Sequence, residues 1–185
     1  MMMVSTTELL KEIEAAFPPR EMPVHDSLVF HQADCLHCEY AREDLEDIRG
    51  KDVTRDVLRW FHNDLGCLSA ETTRWMLPYY LKFGLTPEAL NDGIETEFLI
   101  YNLSVSVENN HDTLQRLSLL NRAQITCFMH FVEWCSNQDH WRAYFPDDLE
   151  KAHAFLKSVL DGRTAVPANP ASNTASRAGK KIAKT

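Results

Sequence analysis

Five potential ligands fall within eight residues in the run His31-Gln32-Ala33-Asp34-Cys35-Leu36-His37-Cys38. Cys35 and Cys38 are three apart, so a helix sets both thiols on one face. If the helix extends upstream, His31 shares that face, four residues before Cys35, and His37 points away. Two thiolates and an imidazole suit zinc, which takes sulfur and nitrogen donors in a tetrahedron. The fourth donor must come from His25, His62, Cys67 or a water. Structural zinc sites usually carry a second close pair, and Cys127 and Cys135, eight apart, do not make one. The same residues suit a second chemistry. With Asp34 as helix cap, Cys35 sits at a helix N-terminus, where backbone donors favour the thiolate. Cys-Leu-His-Cys then looks like the redox motif of thiol–disulfide oxidoreductases. No strand–motif–helix pattern accompanies it, and Asp34 opposes a thiolate. The third reading is two cysteines packing as small apolar groups.

Other constellations carry less. Cys127 lies three residues before His130, close enough for a nucleophile–base pair on one helix face, but no oxyanion site is legible. His130 and His140 flank Trp134 and Cys135. The acids Glu43, Asp44, Glu46 and Asp47 are flanked by Arg42 and Arg49, the pattern of a solvated helix face. An Arg42–Glu46 pair at that spacing is worth about 0.2–0.5 kcal/mol. Trp75, Tyr79 and Tyr80 read as core. The chain has no Walker loop, no Gly-x-Gly-x-x-Gly, no Gly-x-Ser-x-Gly, no His-Glu-x-x-His and no calcium loop.

The elements that must position these residues read as helices. Leucine numbers 21 against 16 Val plus Ile, with 6 Gly in 185 residues, a balance that favours helix over sheet. A first helix opens at Thr7 with Leu9, Leu10, Ile13 and Phe17 in register and stops at Pro18-Pro19. Leu28-Val29-Phe30 is a buried tether or a very short strand. A second helix runs from Asp34 to about Ile48, and a third follows Asp52 or Thr54 with Val57, Leu58, Phe61 and Leu65 inward. Ser69 starts a fourth, and Pro78 inside it predicts a kink or a split. Thr86-Pro87 is a cap with proline at the first helical position. Asp92-Gly93 interrupts, and residues 95–103 form another helix. Residues 104–112 read as loop. Asn121 caps a longer helix in which Ile125, Phe128, Met129 and Val132 face inward. Phe131, Trp134 and Cys135 widen its apolar arc, which makes it a candidate central helix. Pro146 begins the last helix, with Leu149, Phe155, Leu156 and Leu160.

The expected fold is therefore all-α: a helical domain over residues 5–161 and a basic, low-complexity, disordered tail over 162–185. Residues 1–161 hold all 27 acids and 14 bases, a net −13, and the tail holds five bases and no acid. An acidic body repels phosphate backbones, so nucleic acid is not expected on it, and the tail could make weak contact only. No apolar run is long enough for a signal or a membrane span. Five unpatterned cysteines fit reduced thiols in a cytoplasm rather than a disulfide framework.

Several stretches together resemble a family of small uncharacterised bacterial helical proteins. They are Ala16-Phe17-Pro18, Asp34-Cys35 with Cys38, Gly50-Lys51, Leu68-Ser69-Ala70-Glu71 leading into Leu77-Pro78-Tyr79-Tyr80-Leu81, and Phe131-Val132-Glu133-Trp134. The resemblance spans residues 8–160. Where the family reads leucine–serine–phenylalanine–leucine before its proline-bearing helix, this chain has the less apolar Cys67-Leu68-Ser69-Ala70. The resemblance implies a compact helical domain and no particular activity. By analogy with immunity proteins, small acidic proteins of this kind bind partners.

The residues thus point first to a non-enzymatic module that uses its acidic surface against a basic protein partner. The alternatives are a zinc-binding protein with Cys35, Cys38 and His31 as ligands, and a thiol redox protein using Cys35 and Cys38.

Overall fold

The structure, a computed structural model, describes residues 5–31, 35–104 and 111–162. All of the expected tail beyond Gly162 lies outside them, as do Asp34 and most of the expected loop. Among the described residues there are ten α-helices and no strand, as composition predicts.

Local chemistry sets most boundaries. α1 (Thr6–Ala16) starts one residue earlier than the periodicity suggests because Ser5 and Glu8 form a capping box. Leu9 and Ile13 are buried, whereas Leu10 lies at the edge of the stripe and is exposed. α2 (Leu36–Asp47) follows Cys35, and Gly50 beyond its end takes φ +75°. α3 (Arg55–Phe61) runs into a 3-10 turn, His62–Cys67. Ser69 caps α4 (Ala70–Gly84) by accepting from the Thr72 N–H at 3.1 Å. Pro78 does not split α4, which continues through it. Thr86 caps α5 (Pro87–Asn91) with proline first, and α6 (Ile94–Tyr101) follows Gly93. A Cβ on Gly93 would lie 2.1 Å from the Ala89 carbonyl oxygen and 2.3 Å from the Trp141 ring, so no other residue fits there unmoved.

Two helices escape the sequence reading. α7 (His111–Leu117) begins inside the expected loop and buries Leu114 and Leu117; α9 (Asp139–Tyr144) buries Trp141. Both are too short to be stable alone, so packing decides them. α8 (Arg122–Ser136) has an Asn121–Gln124 capping box and packs on α1, α9 and α10 (Pro146–Leu160), the central place expected of it. Cys127, Phe128, Phe131, Val132 and Cys135 are all buried, but Met129 only partly so. The Gln124 side chain donates to the Ala16 carbonyl at 3.0 Å and ties α8 to the end of α1.

Leu28-Val29-Phe30 resolves as a tether with one antiparallel bridge, Val29 to Leu68. The Phe30 N–H donates to the Cys67 carbonyl at 2.7 Å and the Ser69 N–H to the Leu28 carbonyl at 3.2 Å. The Ser69 hydroxyl also donates to the Ser27 carbonyl. This bridge brings the residues before α2 and the end of the 3-10 turn to one place.

Candidate metal centre

Around that bridge the donors of His31, Cys35 and Cys38 lie within 4.8 Å of one another. The three residues singled out in the sequence are thus brought together. Cys38 is buried on the inner face of α2, Cys35 half-buried just before it, and His31 exposed. His31 Nδ1 is 3.4 Å from Cys38 Sγ. A sulfur and a nitrogen sharing one tetrahedral zinc ion stand about 3.6 Å apart, so this spacing fits a shared ion.

The four options for a further ligand separate clearly. His25 Nδ1 is 3.0 Å from Glu46 Oε1. His62 bonds the Arg59 carbonyl and meets the Phe98 ring edge-on. Cys67 alone of the three residues faces the cluster, its thiol interacting with that of Cys38. The reason is topological: the Phe30–Cys67 backbone bond fixes Cys67 beside the chain that leads to His31. Arg116 holds this corner from behind. Its Nη1 donates to the Gly66 carbonyl at 3.3 Å, and its guanidinium lies 5.8 Å from the centre of the Phe30 ring.

His37 stays out of that group, as its place on α2 predicts. Its largely exposed ring instead sets Nε2 3.0 Å from Asp64 Oδ1, and the donors of His37, Asp64 and Cys67 form a second group within 4.8 Å. Cys67 belongs to this second group and lies outside the first, which it meets through the thiol of Cys38. Asp64 is the site residue that spacing could not find, because only the 3-10 turn carries it toward α2.

The thiols differ in acidity. The Cys38 backbone N–H, then its thiol, facing the Cys35 sulfur lower the Cys35 pKa. Burial raises Cys38, and burial with the neighbouring Cys38 pushes Cys67 up to about 12. All five cysteines are unpaired thiols.

The remaining candidates are accounted for by packing. His130 turns to Glu12, Nδ1 to Oε1 2.9 Å, and burial pushes Cys127 up to about 12, so the two do not form a nucleophile–base pair. His140 packs on the rings of Trp141 and Tyr144. Glu46 pairs with Arg49 at 2.6 Å rather than with Arg42, because Arg49 also reaches the Pro23 carbonyl and is held across the end of α2. Asp44 accepts from the Trp60 indole at 3.0 Å. Trp75 and Tyr80 are buried as core, whereas Tyr79 reaches the surface.

Compared with known proteins, the chain matches no family model, no curated protein and no solved structure. Among the described residues no helix is long and apolar enough to cross a membrane.

Proposed function

We propose that this is a zinc-binding helical protein in which Cys35, Cys38 and His31 hold the ion and Cys67 completes the set. The 3.4 Å approach of His31 Nδ1 to Cys38 Sγ, with the Cys35 donor within 4.8 Å, carries the reading. A closed Cys3His set leaves no open position, so the ion is structural rather than catalytic. Its work is to staple the start of α2 to the tether and to the 3-10 turn, adding to the Val29–Leu68 bridge and the exposed His37–Asp64 contact. Zinc deprotonates the thiols it binds, which removes the handicap of the raised Cys38 and Cys67. The redox alternative engages Cys35 and Cys38 and gives His31 and Cys67 no task.

The test is metal analysis of protein purified under reducing conditions, followed by cobalt substitution. The expected result is one zinc per chain and a thiolate-to-cobalt charge-transfer band, both lost in the Cys35→Ser, Cys38→Ser double variant. Zinc content far below one per chain that does not fall further in that variant removes the proposal.

A second reading, a module for a basic protein partner, is favoured by the groove between α2 and α3. Asp44, Asp47 and Asp56, with Lys51 the one cation among them, line a hollow of about 250 Å³ beside Trp60. Trp60 is 66% exposed, and Leu36 and Tyr40 on α2 are exposed as well. Carboxylates around an exposed indole suit a Lys- or Arg-rich segment. A lysine-rich peptide should quench Trp60 fluorescence at low salt and lose affinity in Trp60→Ala; affinity unchanged by that substitution would exclude this groove.

A further inference from the structure

Between the end of α1 and the middle of α4 lies a cleft of about 320 Å³, cationic in a chain whose net charge is −8. Four charged side chains line it: Glu14, Arg20, Arg74 and Lys82. Lys82 Nζ is 3.5 Å from Glu14 Oε1, so those two charges offset each other. Arg20 and Arg74 remain. Among the described residues no carboxylate pairs with either guanidinium, and the Nε of Arg74 is buried with no hydrogen-bond partner. Burial, and then the charge of Arg20, lower the Arg74 pKa. An unpaired, partly desolvated guanidinium beside a second one is an unfavourable arrangement in the free protein, and an anion would reverse its sign.

The rest of the wall is apolar. Phe17 and Trp75 form its floor, and Pro18, Pro78 and Tyr79 its sides. Trp75 and Tyr79 stand 5.9 Å apart, tilted by 60°. Pro78 has no N–H for the Arg74 carbonyl four residues earlier, so the α4 hydrogen-bond ladder is open at the residue whose Nε is buried without a partner.

We propose that this cleft binds a small organic acid, its phosphate or carboxylate gripped by Arg20 and Arg74 and its flat apolar body laid against Trp75 and Tyr79. A guanidinium matches either oxyanion through paired N–H donors. A pocket of mixed character, apolar with a few converging polar groups, is the usual form of a small-molecule site. The cleft lies on α1 and α4, and its lining includes no residue of the candidate metal centre.

The test uses the full chain and three probes: phenyl phosphate, benzoate and inorganic phosphate. Binding is read from the Trp75 indole and Arg74 Nε–H signals in nitrogen–proton correlation spectra. Phenyl phosphate or benzoate should give saturable shifts of both signals at millimolar concentration or below. The preferred oxyanion is the one whose probe binds more tightly. Inorganic phosphate should bind about tenfold more weakly than phenyl phosphate, because it leaves the aromatic wall unused. Arg74→Met should weaken the better probe about tenfold or more, the loss of a charge-assisted contact, and Arg20→Gln should act in the same direction. Arg74→Met should also melt no lower than the wild type, since it removes an unpaired charge; this separates a ligand residue from a structural one. No saturable shift with either aromatic acid would overturn the proposal. So would unchanged affinity in Arg74→Met, or equal affinity for phenyl phosphate and inorganic phosphate.

Discussion

Replacing Glu95 with Gln probes the charge cluster that locks α3 to α6. The Glu95 side chain is fully buried. Its Oε1 accepts from Arg59 Nε at 2.7 Å and lies 3.7 Å from Arg55 Nε. Asp92 meets the other faces of both guanidiniums, Oδ1 to Arg59 at 2.7 Å and Oδ2 to Arg55 at 2.8 Å. Glu95 and then Asp92 raise the Arg59 pKa further above its ordinary value, so the guanidinium stays ionised. Removing one partner of a fully buried pair costs about 3–5 kcal/mol. Here both arginines are more than a third exposed and keep Asp92, so water and Asp92 recover part of the loss. Glu95→Gln also keeps the side-chain shape. The expected cost is therefore about 2 kcal/mol. For a chain of this size that lowers the melting temperature by about 4–8 °C. Circular-dichroism melts at pH 7 of wild type, Glu95→Gln, Arg59→Met and the double variant measure it. The double variant should lose less than the sum of the singles, by about 1 kcal/mol. A Glu95→Gln melt within about 1 °C of wild type, or strictly additive singles, would refute the reasoning.

Three further outcomes follow from the packing and the charges. Gly93→Ala should cost about 3 kcal/mol or more, because its Cβ would drive apart the Ala89 carbonyl and the Trp141 ring; a chemical-denaturation midpoint close to wild type would show that α5 and α9 yield easily. Tyr80→Phe should cost about 1–2 kcal/mol, since the Leu58 carbonyl then loses the buried hydroxyl that donates to it at 2.9 Å, and equal unfolding energies would show that water replaces it. Stability should change at both ends of the pH range. Arg59 holds the Asp92 carboxyl, and Arg49 the Glu46 carboxyl, below their ordinary values of 3.8 and 4.5. Their contribution is whole above those values and is lost as pH falls through the lower folded ones; Arg49→Met should flatten the acid limb. At the alkaline end the buried Cys127 thiol, pushed up to about 12, stays neutral while the unfolded thiol ionises above 9.0. Stability should fall between those values by up to about 1.4 kcal/mol per pH unit, and Cys127→Ala should reduce that slope when unfolding is followed by urea titration.

Much of the helical plan is readable along the chain because its signals are local. Ser69, Thr86-Pro87 and Asn121 each cap within three residues, and the structure keeps all three. The apolar stripes at Leu9 and Ile13, and at Phe128, Val132 and Cys135, need nothing more than helical spacing to be found. α7 and α9 are not readable in this way, since helices of that length depend on what they pack against. At Pro78 the split is averted for a similar reason: a break in one hydrogen bond does not divide a helix packed on α1 and α6.

The candidate sites divide along the same line. Spacing alone named Cys35, Cys38 and His31 as one group, although Cys35 lies in extended backbone just before α2 rather than on its face. That Cys67 rather than His25 or His62 meets the Cys38 thiol was decided by the Val29–Leu68 bridge, a pairing across 39 positions that no local pattern encodes. The same holds for His37 with Asp64, for the cleft that gathers Arg20 and Arg74, and for Glu95 between two arginines of another helix. Backbone propensity and periodicity act over a few residues, so the sequence itself settles elements and faces. Sites form where faces meet, and burial and charge choose that meeting only once the chain has closed on itself.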